Sequence, residues 1–385
     1  ALAKRFNLEL LDTRASQKDP LQYQSYYFNG IHYTEAQVIA AFLPYARLIK
    51  SDQLKMSGLI TATSYATFDQ QLDNLSIAEY FDRIGLQGWL RNLLDVAYVT
   101  EFGQPLDQQT ALNFLWMISP KVRNGHFEIF GASDERYKIK GGNDQIPALL
   151  ARELEGQIQV NHRLTEIHQL SNNTYDLVFE VDRSTKTVNT DFVLLTLPFT
   201  LLREVTVKPD WPDWKQKAIF DIGYGNNSKV MMGFRKRYWY EEGYAGYFFT
   251  DLFLQSGWEN TTLQSTTDSG GLTVYSGGPE ALNAGKDSLE TQVQRHLTEL
   301  DKLYPGAIEY YNGKADRFIW PEHPWTRGSY TCFRPGQYTT IAGNEIIPVG
   351  NIYFAGEHCS YDFQGYMNGG AETGRRAAES ILKRL

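Results

Sequence analysis

The stretch that decides the fold is Ile352-Tyr-Phe-Ala-Gly-Glu-His-Cys-Ser-Tyr-Asp-Phe-Gln-Gly-Tyr-Met-Asn-Gly-Gly-Ala-Glu-Thr-Gly-Arg-Arg-Ala-Ala378, near the end of a chain of 385 residues. Its first residues predict a buried strand, and Gly356 after it has no side chain to keep a ligand from the backbone. Glu357 is a hydrogen-bond acceptor suited to hydroxyl groups. A helix predicted from about Gly369 to Lys383 presents N–H groups and a dipole that favour an electron-rich ligand edge. This order is typical of dinucleotide binding, but also of an ordinary strand, loop and helix whose glycines serve turns.

The rest of the chain predicts a mixed α/β (α+β) protein built from two interleaved domains. Apolar residues recur at helical spacing from Glu35 to about Phe130, and short strands, including Ile158 to Val160, follow between polar turns. A β-rich stretch from Ser228 to Phe234 and a helix from Ser288 to Leu303 indicate a second mixed region. The predicted boundaries are 1–130 for a mainly helical part of a substrate domain, 131–200 for a nucleotide-binding segment, 201–340 for the sheet and helices of the substrate domain, and 341–385 for the C-terminal nucleotide-binding segment.

The composition excludes several classes of protein. Lys and Arg number 37 against 45 for Asp and Glu, a net charge of −8, so nucleic acid is not an expected partner. No apolar stretch approaches the ~20 residues that cross a bilayer, so no membrane span is predicted. Only Cys332 and Cys359 are present, too few for a disulfide framework, which favours a cytoplasmic location. Aromatic residues make up 14% of the chain and suggest aromatic-lined cavities.

The stretch from Ile352 strongly resembles the C-terminal flavin-binding motif of the flavin-containing amine oxidases, the family of monoamine oxidases, polyamine oxidases and L-amino-acid oxidases. Gly-Glu-His and Gly-Tyr are similar to the plant polyamine oxidase form, and Gly-Tyr-Met with its following helix to the monoamine oxidase form. Segments from Phe130 to Pro147, from Asn226 to Trp239 and from Trp320 to Tyr330 agree, in the order that the family requires. The resemblance covers nearly the whole chain and implies an FAD-binding Rossmann-like domain, incomplete here, beside a substrate domain.

The resemblance implies non-covalently bound FAD and a small-molecule amine as substrate. Lys229 corresponds to the lysine that hydrogen-bonds a water at flavin N5, and burial would lower its pKa. Tyr330 and Tyr366 occupy the positions of the facing aromatic pair of monoamine oxidases, where two ring faces guide the amine. Gly365, beside that pair, is expected to contact both substrate and cofactor. The other expected cofactor contacts are Leu164 at the adenine, Trp320 packed on the flavin ring, Gly356 through its backbone, Glu357 at the ribityl hydroxyls, Tyr366, and the Met367 N–H at the pyrimidine edge.

These residues also have ordinary structural interpretations. A lysine in a strand usually lies on a solvated face, and a tyrosine in an aromatic-rich chain is usually a satisfied core residue. Trp320 fits a hydrophobic core as well. Where monoamine oxidases bind flavin covalently through a cysteine, this chain has Ser329, which is why FAD is expected to be held without a covalent bond. Cys359 is expected to be a small buried residue.

The motif that opens the family is not found in this sequence. The family begins with a strand, Gly-x-Gly-x-x-Gly and a helix that bind the flavin pyrophosphate, and neither Gly141-Gly142 nor Gly369-Gly370 has that spacing. Residues 1–11 show an apolar pattern already in helical phase without an N-cap. We therefore expect the larger, C-terminal portion of an amine oxidase, with its N-terminal FAD-binding segment on further sequence or on a second chain. The sequence also leaves a homodimer open.

The expected activity is oxidation of the C–N bond of a primary amine or polyamine. Hydride would pass to flavin N5, water would hydrolyse the imine, and O2 or another acceptor would reoxidise the flavin, giving hydrogen peroxide in the first case. An L-amino-acid oxidase of the same family is one alternative. Others are a flavin-dependent desaturase or isomerase, which would dispense with the arrangement of Lys229 and the tyrosines, and a non-catalytic subunit or remnant.

Overall fold

A computed structural model of the chain describes residues 2–13, 21–122, 125–133, 135–263 and 268–385. Its helices are α1 (Leu2–Arg5), α2 (Glu35–Gln53), α3 (Thr67–Asp73), α4 (Ile77–Arg83), α5 (Gly88–Phe102), α6 (Ala111–Met117), α7 (Gln145–Glu153), α8 (Phe199–Leu202), α9 (Asp213–Asp221), α10 (Pro279–Asn283), α11 (Leu289–Leu303), α12 (Ala307–Tyr310) and α13 (Met367–Leu382). Its strands are β1 (Leu10–Asp12), β2 (Gln22–Phe28), β3 (Ile31–Tyr33), β4 (Tyr137–Ile139), β5 (Arg163–Gln169), β6 (Tyr175–Val181), β7 (Ser184–Thr190), β8 (Val193–Leu195), β9 (Thr206–Lys208), β10 (Asn227–Phe234), β11 (Tyr244–Thr250), β12 (Ser256–Glu259), β13 (Gly270–Gly277), β14 (Tyr311–Ile319) and β15 (Ile352–Phe354). Among these described residues, every helix is too short or too polar to span a bilayer.

The largest sheet has seven strands in the order β14-β10-β13-β12-β11-β2-β3. Its strands pair antiparallel except for β11 and β2, which run parallel. Because β2 and β3 come from the beginning of the chain and the others from its second half, the sheet joins distant segments. Side chains alternate along β10, so that Val230, Met232 and Phe234 enter a core shared with α11 while Lys229 faces the other side.

Helices α2 to α6 cover the other face of this sheet. Their core includes Phe42, Tyr80 and Phe114, with Tyr26 of β2 and Phe249 of β11 from the sheet. Burying such large aromatic side chains is a main source of stability for this layer.

Helix α5 ends against the first residue of β10. The terminating residue is Gly103, whose φ of 69° is left-handed and favours glycine at a helix end. A Cβ on Gly103 would lie 2.3 Å from the Asn227 Oδ1 atom, which no packed structure tolerates. The last turn of α5 is therefore fixed beside the strand that carries Lys229.

The second domain contains a four-stranded sheet in the order β7-β6-β5-β9 and the parallel pair β15 and β8. The buried strand β15 leads through Gly356 to α13. The Gly356 N–H donates to the hydroxyl of Thr373 on α13 at 3.0 Å, and a Cβ on Gly356 would lie 2.4 Å from the His358 ring. The strand-to-helix crossing is therefore held by one buried hydroxyl and requires glycine at this position.

The predicted mixed α/β fold class is confirmed, whereas two local predictions were wrong. Residues 158–160 do not form a strand: they are exposed, and alternation alone cannot stabilise a strand whose backbone meets no neighbour. The helical pattern of residues 1–11 holds only over α1, because Leu10 to Asp12 pair with β4 instead. The four domain boundaries stay predictions.

Candidate active site

Lys229 lies on β10 between two aromatic cross-strand partners, Tyr275 on β13 and Phe318 on β14. Its Nζ is 5.4 Å from the centroid of the Tyr275 ring and 5.5 Å from that of Trp258. Burial lowers the pKa of Lys229, and the charge of Glu135 partly opposes this. An ammonium held against two ring faces, with a lowered pKa, exchanges its proton more readily than a lysine in water.

Tyr330 approaches the same rings from a loop. Its hydroxyl lies 2.8 Å from that of Tyr275, and it donates to the backbone carbonyl of Glu101. Gly365 packs on its ring, because a Cβ there would be 3.7 Å from the Tyr330 Cδ2 atom. Burial raises the pKa of Tyr275 and of Tyr330, so both hydroxyls keep their protons at physiological pH.

Tyr366 is the N-cap residue of α13 and approaches Glu101 as well. Its hydroxyl lies 3.4 Å from Glu101 Oε1 and 2.7 Å from Ser133 Oγ. The two tyrosines that the sequence singled out, Tyr330 and Tyr366, therefore converge on one acidic residue. We call Trp258, Tyr275, Tyr330 and Tyr366 the aromatic cage.

Glu357 connects the two cage tyrosines through their chain neighbours. Its Oε1 accepts hydrogen bonds from the N–H and the hydroxyl of Thr331, each at 3.0 Å. Its Oε2 accepts the N–H of Gly365 at 2.7 Å. These partners directly follow Tyr330 and directly precede Tyr366, so one carboxylate sets the spacing of the pair. The Oε2 atom, which accepts one hydrogen bond, keeps a further lone pair, and the expected contact to ribityl hydroxyls stays a prediction.

The N-terminus of α13 fits an electron-rich ligand edge such as that of a flavin. Tyr366 makes no side-chain hydrogen bond to the first turn of this 16-residue helix, and Met367 is 58% exposed. The Gly369 N–H donates to the Tyr366 carbonyl oxygen at 3.0 Å, so the N–H groups of Met367 and Asn368, together with the helix dipole, are the ones available to acceptors. A Cβ on Gly370 would meet no atom within 4 Å, so there is room beside this turn. The donors and the space suit the pyrimidine edge of FAD, and the role of the Met367 N–H stays a prediction.

The other expected cofactor residues lie in two places. Trp320 packs on Phe318, with ring centroids 4.3 Å apart, and Phe318 is the cross-strand partner of Lys229. Trp320 is thus connected to the cage side of the large sheet. Leu164 lies on β5 opposite Phe179, in the four-stranded sheet of the other domain. The contacts of Trp320 with the flavin ring and of Leu164 with adenine stay predictions.

Three residues of the motif region, and Ser329 outside it, have structural surroundings that account for them. His358 is buried against Phe199, with ring centroids 4.4 Å apart, and burial lowers its pKa to about 3. Gly356 makes room for that ring, so its expected approach to the cofactor stays a prediction. Cys359 is a buried free thiol, which confirms its structural interpretation. Ser329 donates to Asn227 Oδ1 at 2.6 Å.

Sequence reasoning missed Trp258, Tyr275 and Glu101. The two rings become site residues only through the pairing of β10, β13 and β12, which the order of residues does not reveal. Glu101 had a detectable signal. It continues the apolar stripe of α5 formed by Leu90, Leu94 and Ala97, where a carboxyl group is out of place.

A mixed α/β fold in which a strand–glycine–helix unit meets an aromatic cage with a half-buried lysine is the arrangement expected of a flavin-dependent oxidoreductase. The chain belongs to the flavin-containing amine oxidoreductase family, whose model matches residues 1–382. The predicted membership is thereby confirmed, and the family implies a flavin as cofactor.

Individual relatives support the same assignment. The chain is 24% identical over 356 residues to the flavin-containing amine oxidase of Danio rerio, covering 89% of this chain and 65% of that protein. It is 29% identical over 271 residues to polyamine oxidase 5 of Oryza sativa subsp. japonica, covering 66% of this chain and 51% of that protein. The chain thus spans between about half and two thirds of the length of these curated relatives. The solved structure of cyclohexylamine oxidase from Brevibacterium oxydans IH-35A has the same fold, with a TM-score of 0.83 at 17% identity, covering 100% of this chain and 84% of that chain.

Proposed function

We propose that this chain provides the substrate cage and part of the cofactor site of an FAD-dependent amine oxidase. The observation that carries the proposal is a chain of contacts: Tyr275 lies against Lys229 and hydrogen-bonds Tyr330, and Tyr366, at the N-terminus of α13, reaches Glu101 beside that pair. When bound, FAD would accept hydride from the carbon that bears the amine, leaving an imine for water to hydrolyse, and O2 would take up the electrons as hydrogen peroxide.

The residues of the chain have separate tasks in this reaction. Lys229 holds a water or a proton at the face of the sheet, since burial already favours its neutral form. The cage rings exclude bulk water and attract a cationic amine by their negative faces. Glu357 keeps the two tyrosines at a fixed spacing, so the substrate enters a site whose geometry is already set.

The cage favours a simple amine or polyamine over an α-amino acid. Its rings attract ammonium groups, whereas Glu101 beside them provides no positive charge to pair with a substrate carboxylate, whether it is neutral or ionised. The names of the relatives agree, since they include a polyamine oxidase and a cyclohexylamine oxidase. A panel of cyclohexylamine, benzylamine, 1,4-diaminobutane, spermidine and L-amino acids tests this with the flavin-loaded protein. Turnover of the L-amino acids alone would contradict the proposed substrate class.

Replacement of the buried lysine tests the reaction itself. Lys229→Met should slow anaerobic flavin reduction by the best amine of the panel by about 10²-fold or more, as expected for loss of a proton-transfer group. Lys314→Met, on the neighbouring strand β14 and exposed, is the control and should reduce at the normal rate. Unchanged reduction in Lys229→Met would favour a desaturase or isomerase. A colourless protein that never acquires flavin would favour a non-catalytic subunit or remnant, or would show that the N-terminal FAD-binding segment is essential.

We further propose that FAD is held without a covalent bond and that residues outside this sequence complete its site. Ser329 supports the first point, because a serine hydroxyl cannot form the thioether that a cysteine forms. For the second, the β15–β8 pair is a sheet of only two parallel strands, and α7 contains no buried residue within the described chain. Acid precipitation should release all flavin into the supernatant. Sub-micromolar FAD binding by this chain alone would refute the second point, and light scattering of the flavin-loaded protein tests for a homodimer.

A further inference from the structure

Glu101 places an acid on the apolar stripe of α5. Leu90, Leu94 and Ala97 define the stripe, and Glu101 is the next position along it. The carboxyl group is therefore turned into the protein, where its Oε1 meets the Tyr366 hydroxyl at 3.4 Å. An apolar residue would fit this position at lower cost, since burying an acid without a counter-ion is unfavourable.

The surroundings of this carboxyl favour its protonated form. Burial raises the pKa of Glu101 to about 8, the charge of Glu135 adds to the effect, and the hydrogen bond from Tyr366 opposes it. Within the described residues, no basic side chain contributes to that pKa, and Lys229 is coupled to Glu135 instead. Among the residues that the structure describes, no cation thus lies beside Glu101 where it faces the cage.

The other titratable groups around Glu101 keep their protons at neutral pH. Burial raises the pKa of every tyrosine that faces it, on its own helix, on the large sheet and on the loops; these are Tyr98, Tyr247, Tyr275, Tyr330 and Tyr366. Glu135 lies farther out and is exposed. Of the described groups in direct contact with the cage tyrosines, Glu101 is therefore the one whose ionised form can take up a proton from a ligand. That form is a minority at pH 7, below the raised pKa, but a carboxylate with a raised pKa is a stronger proton acceptor than one in water.

We propose, building on amine oxidation as the function, that Glu101 takes the proton from the ammonium group of the incoming substrate. One N–H bond of the ammonium breaks, one O–H bond forms on the carboxylate, and no electron moves in this step. The products are a neutral amine and a neutral acid. A shielded site favours this outcome, because burial penalises the charged forms of both partners. The neutral nitrogen then has the lone pair that assists loss of hydride from the adjacent carbon.

A path for the proton out of the cage begins at the same carboxyl. Glu101 Oε1 is 3.4 Å from the Tyr366 hydroxyl, which is 2.7 Å from Ser133 Oγ. Ser133 is partly exposed. Two hydroxyl groups that each donate and accept can pass a proton along such a chain without ionising.

The test is the pH dependence of anaerobic flavin reduction in the holoenzyme, using the amine of the panel that the wild type oxidises fastest. Glu101→Gln keeps the shape and removes the proton acceptor. At pH 7 it should reduce flavin about 100-fold more slowly than the wild type, in the range of a lost general base. At pH 10, where more of the free amine is already neutral, the deficit should shrink to about 10-fold or less. Asp95→Asn, on the exposed side of the same helix, is the control and should follow the wild-type profile.

Two results would overturn this proposal. One is a Glu101→Gln profile that coincides with that of the wild type; the other is a fold-loss that is equal at all pH values, which indicates a structural role. Glu101→Asp provides an independent check. A displaced acid should lower the rate of flavin reduction but keep the wild-type dependence of that rate on pH. If no amine of the panel reduces the flavin of the wild type, the proposed function fails instead. The two failures are therefore distinguishable.

Discussion

The two adjacent glycines at the start of α13 should respond in opposite ways to the same substitution. A Cβ on Gly369 would lie 2.3 Å from the Phe363 carbonyl oxygen and 2.9 Å from the Ser360 Cβ atom. The oxygen belongs to the backbone and also accepts the N–H of Tyr366 at 3.1 Å, so it cannot rotate away. A Cβ on Gly370 would meet nothing within 4 Å.

The size of the difference follows from two opposing effects. Replacing glycine by alanine inside a helix stabilises it by about 0.5–1 kcal/mol, and this gain is common to both variants. Only Gly369→Ala must also move the backbone at Phe363 by about 1 Å to restore a normal contact distance. Overpacking of this kind costs about 1–3 kcal/mol. Because the helix gain cancels, Gly370→Ala should be more stable than Gly369→Ala by about 1–3 kcal/mol.

Urea unfolding followed by tryptophan fluorescence measures this difference. Gly370→Ala should unfold at a higher urea concentration than the wild type and Gly369→Ala at a lower one than Gly370→Ala. Gly369→Ala should also oxidise amines more slowly, because the displaced turn carries Tyr366. Equal midpoints for the two variants, or a higher one for Gly369→Ala, would show that the contact with Phe363 does not limit the packing of α13.

Two further predictions concern buried ionisable groups. Burial raises the pKa of Glu345 to about 8, so the folded state holds a proton that the unfolded state releases above about 4.5. The free energy of unfolding should therefore fall by about 3 kcal/mol, relative to that of Glu345→Gln, as pH rises from 5 to 7. Urea unfolding of both proteins at pH 5, 6 and 7 measures this difference. Nearby Lys215 releases its proton only around pH 7 and above, because burial lowers its pKa to about 7, so it leaves that interval largely undisturbed. Cys332 and Cys359 are buried, and burial raises the pKa of both thiols, so neither should react with a thiol reagent until the protein unfolds; rapid labelling of the native protein would contradict their burial.

Local signals predicted several elements of the chain. Helix α11 begins directly after its N-cap Ser288 and ends at Leu303, as expected from its periodicity, and β15 forms where the first residues of the motif predict a buried strand. Strand β10 begins one residue before Ser228, the predicted start. In each case the pattern of apolar residues and the flanking caps lie within the element itself.

The aromatic cage could be predicted only in part, because most of it depends on contacts distant in sequence. Tyr330 and Tyr366 were recognised from their positions in motifs, but nothing local shows that both reach Glu101. The contacts of both tyrosines with Glu101 require that α5 ends at Gly103, beside β10. They also require that β13 pairs with β10 in one particular register. A shift of one residue in that register would turn Tyr275 to the opposite face of the sheet.

The hydrogen bonds of Glu357 explain why the motif contains both Gly-Glu and Gly-Tyr at a fixed separation. Glu357 accepts the Gly365 N–H from within the motif, and its other oxygen accepts two hydrogen bonds from Thr331 in a different segment. One carboxylate thus ties the loop before α13 to the segment that carries Tyr330. Burial raises the pKa of Glu357 while these hydrogen bonds lower it, so the charge is kept by its partners and not by solvent. An acid in this position therefore orders the aromatic cage whether or not it also contacts the cofactor. The glycines on either side leave room for the groups that donate hydrogen bonds to it.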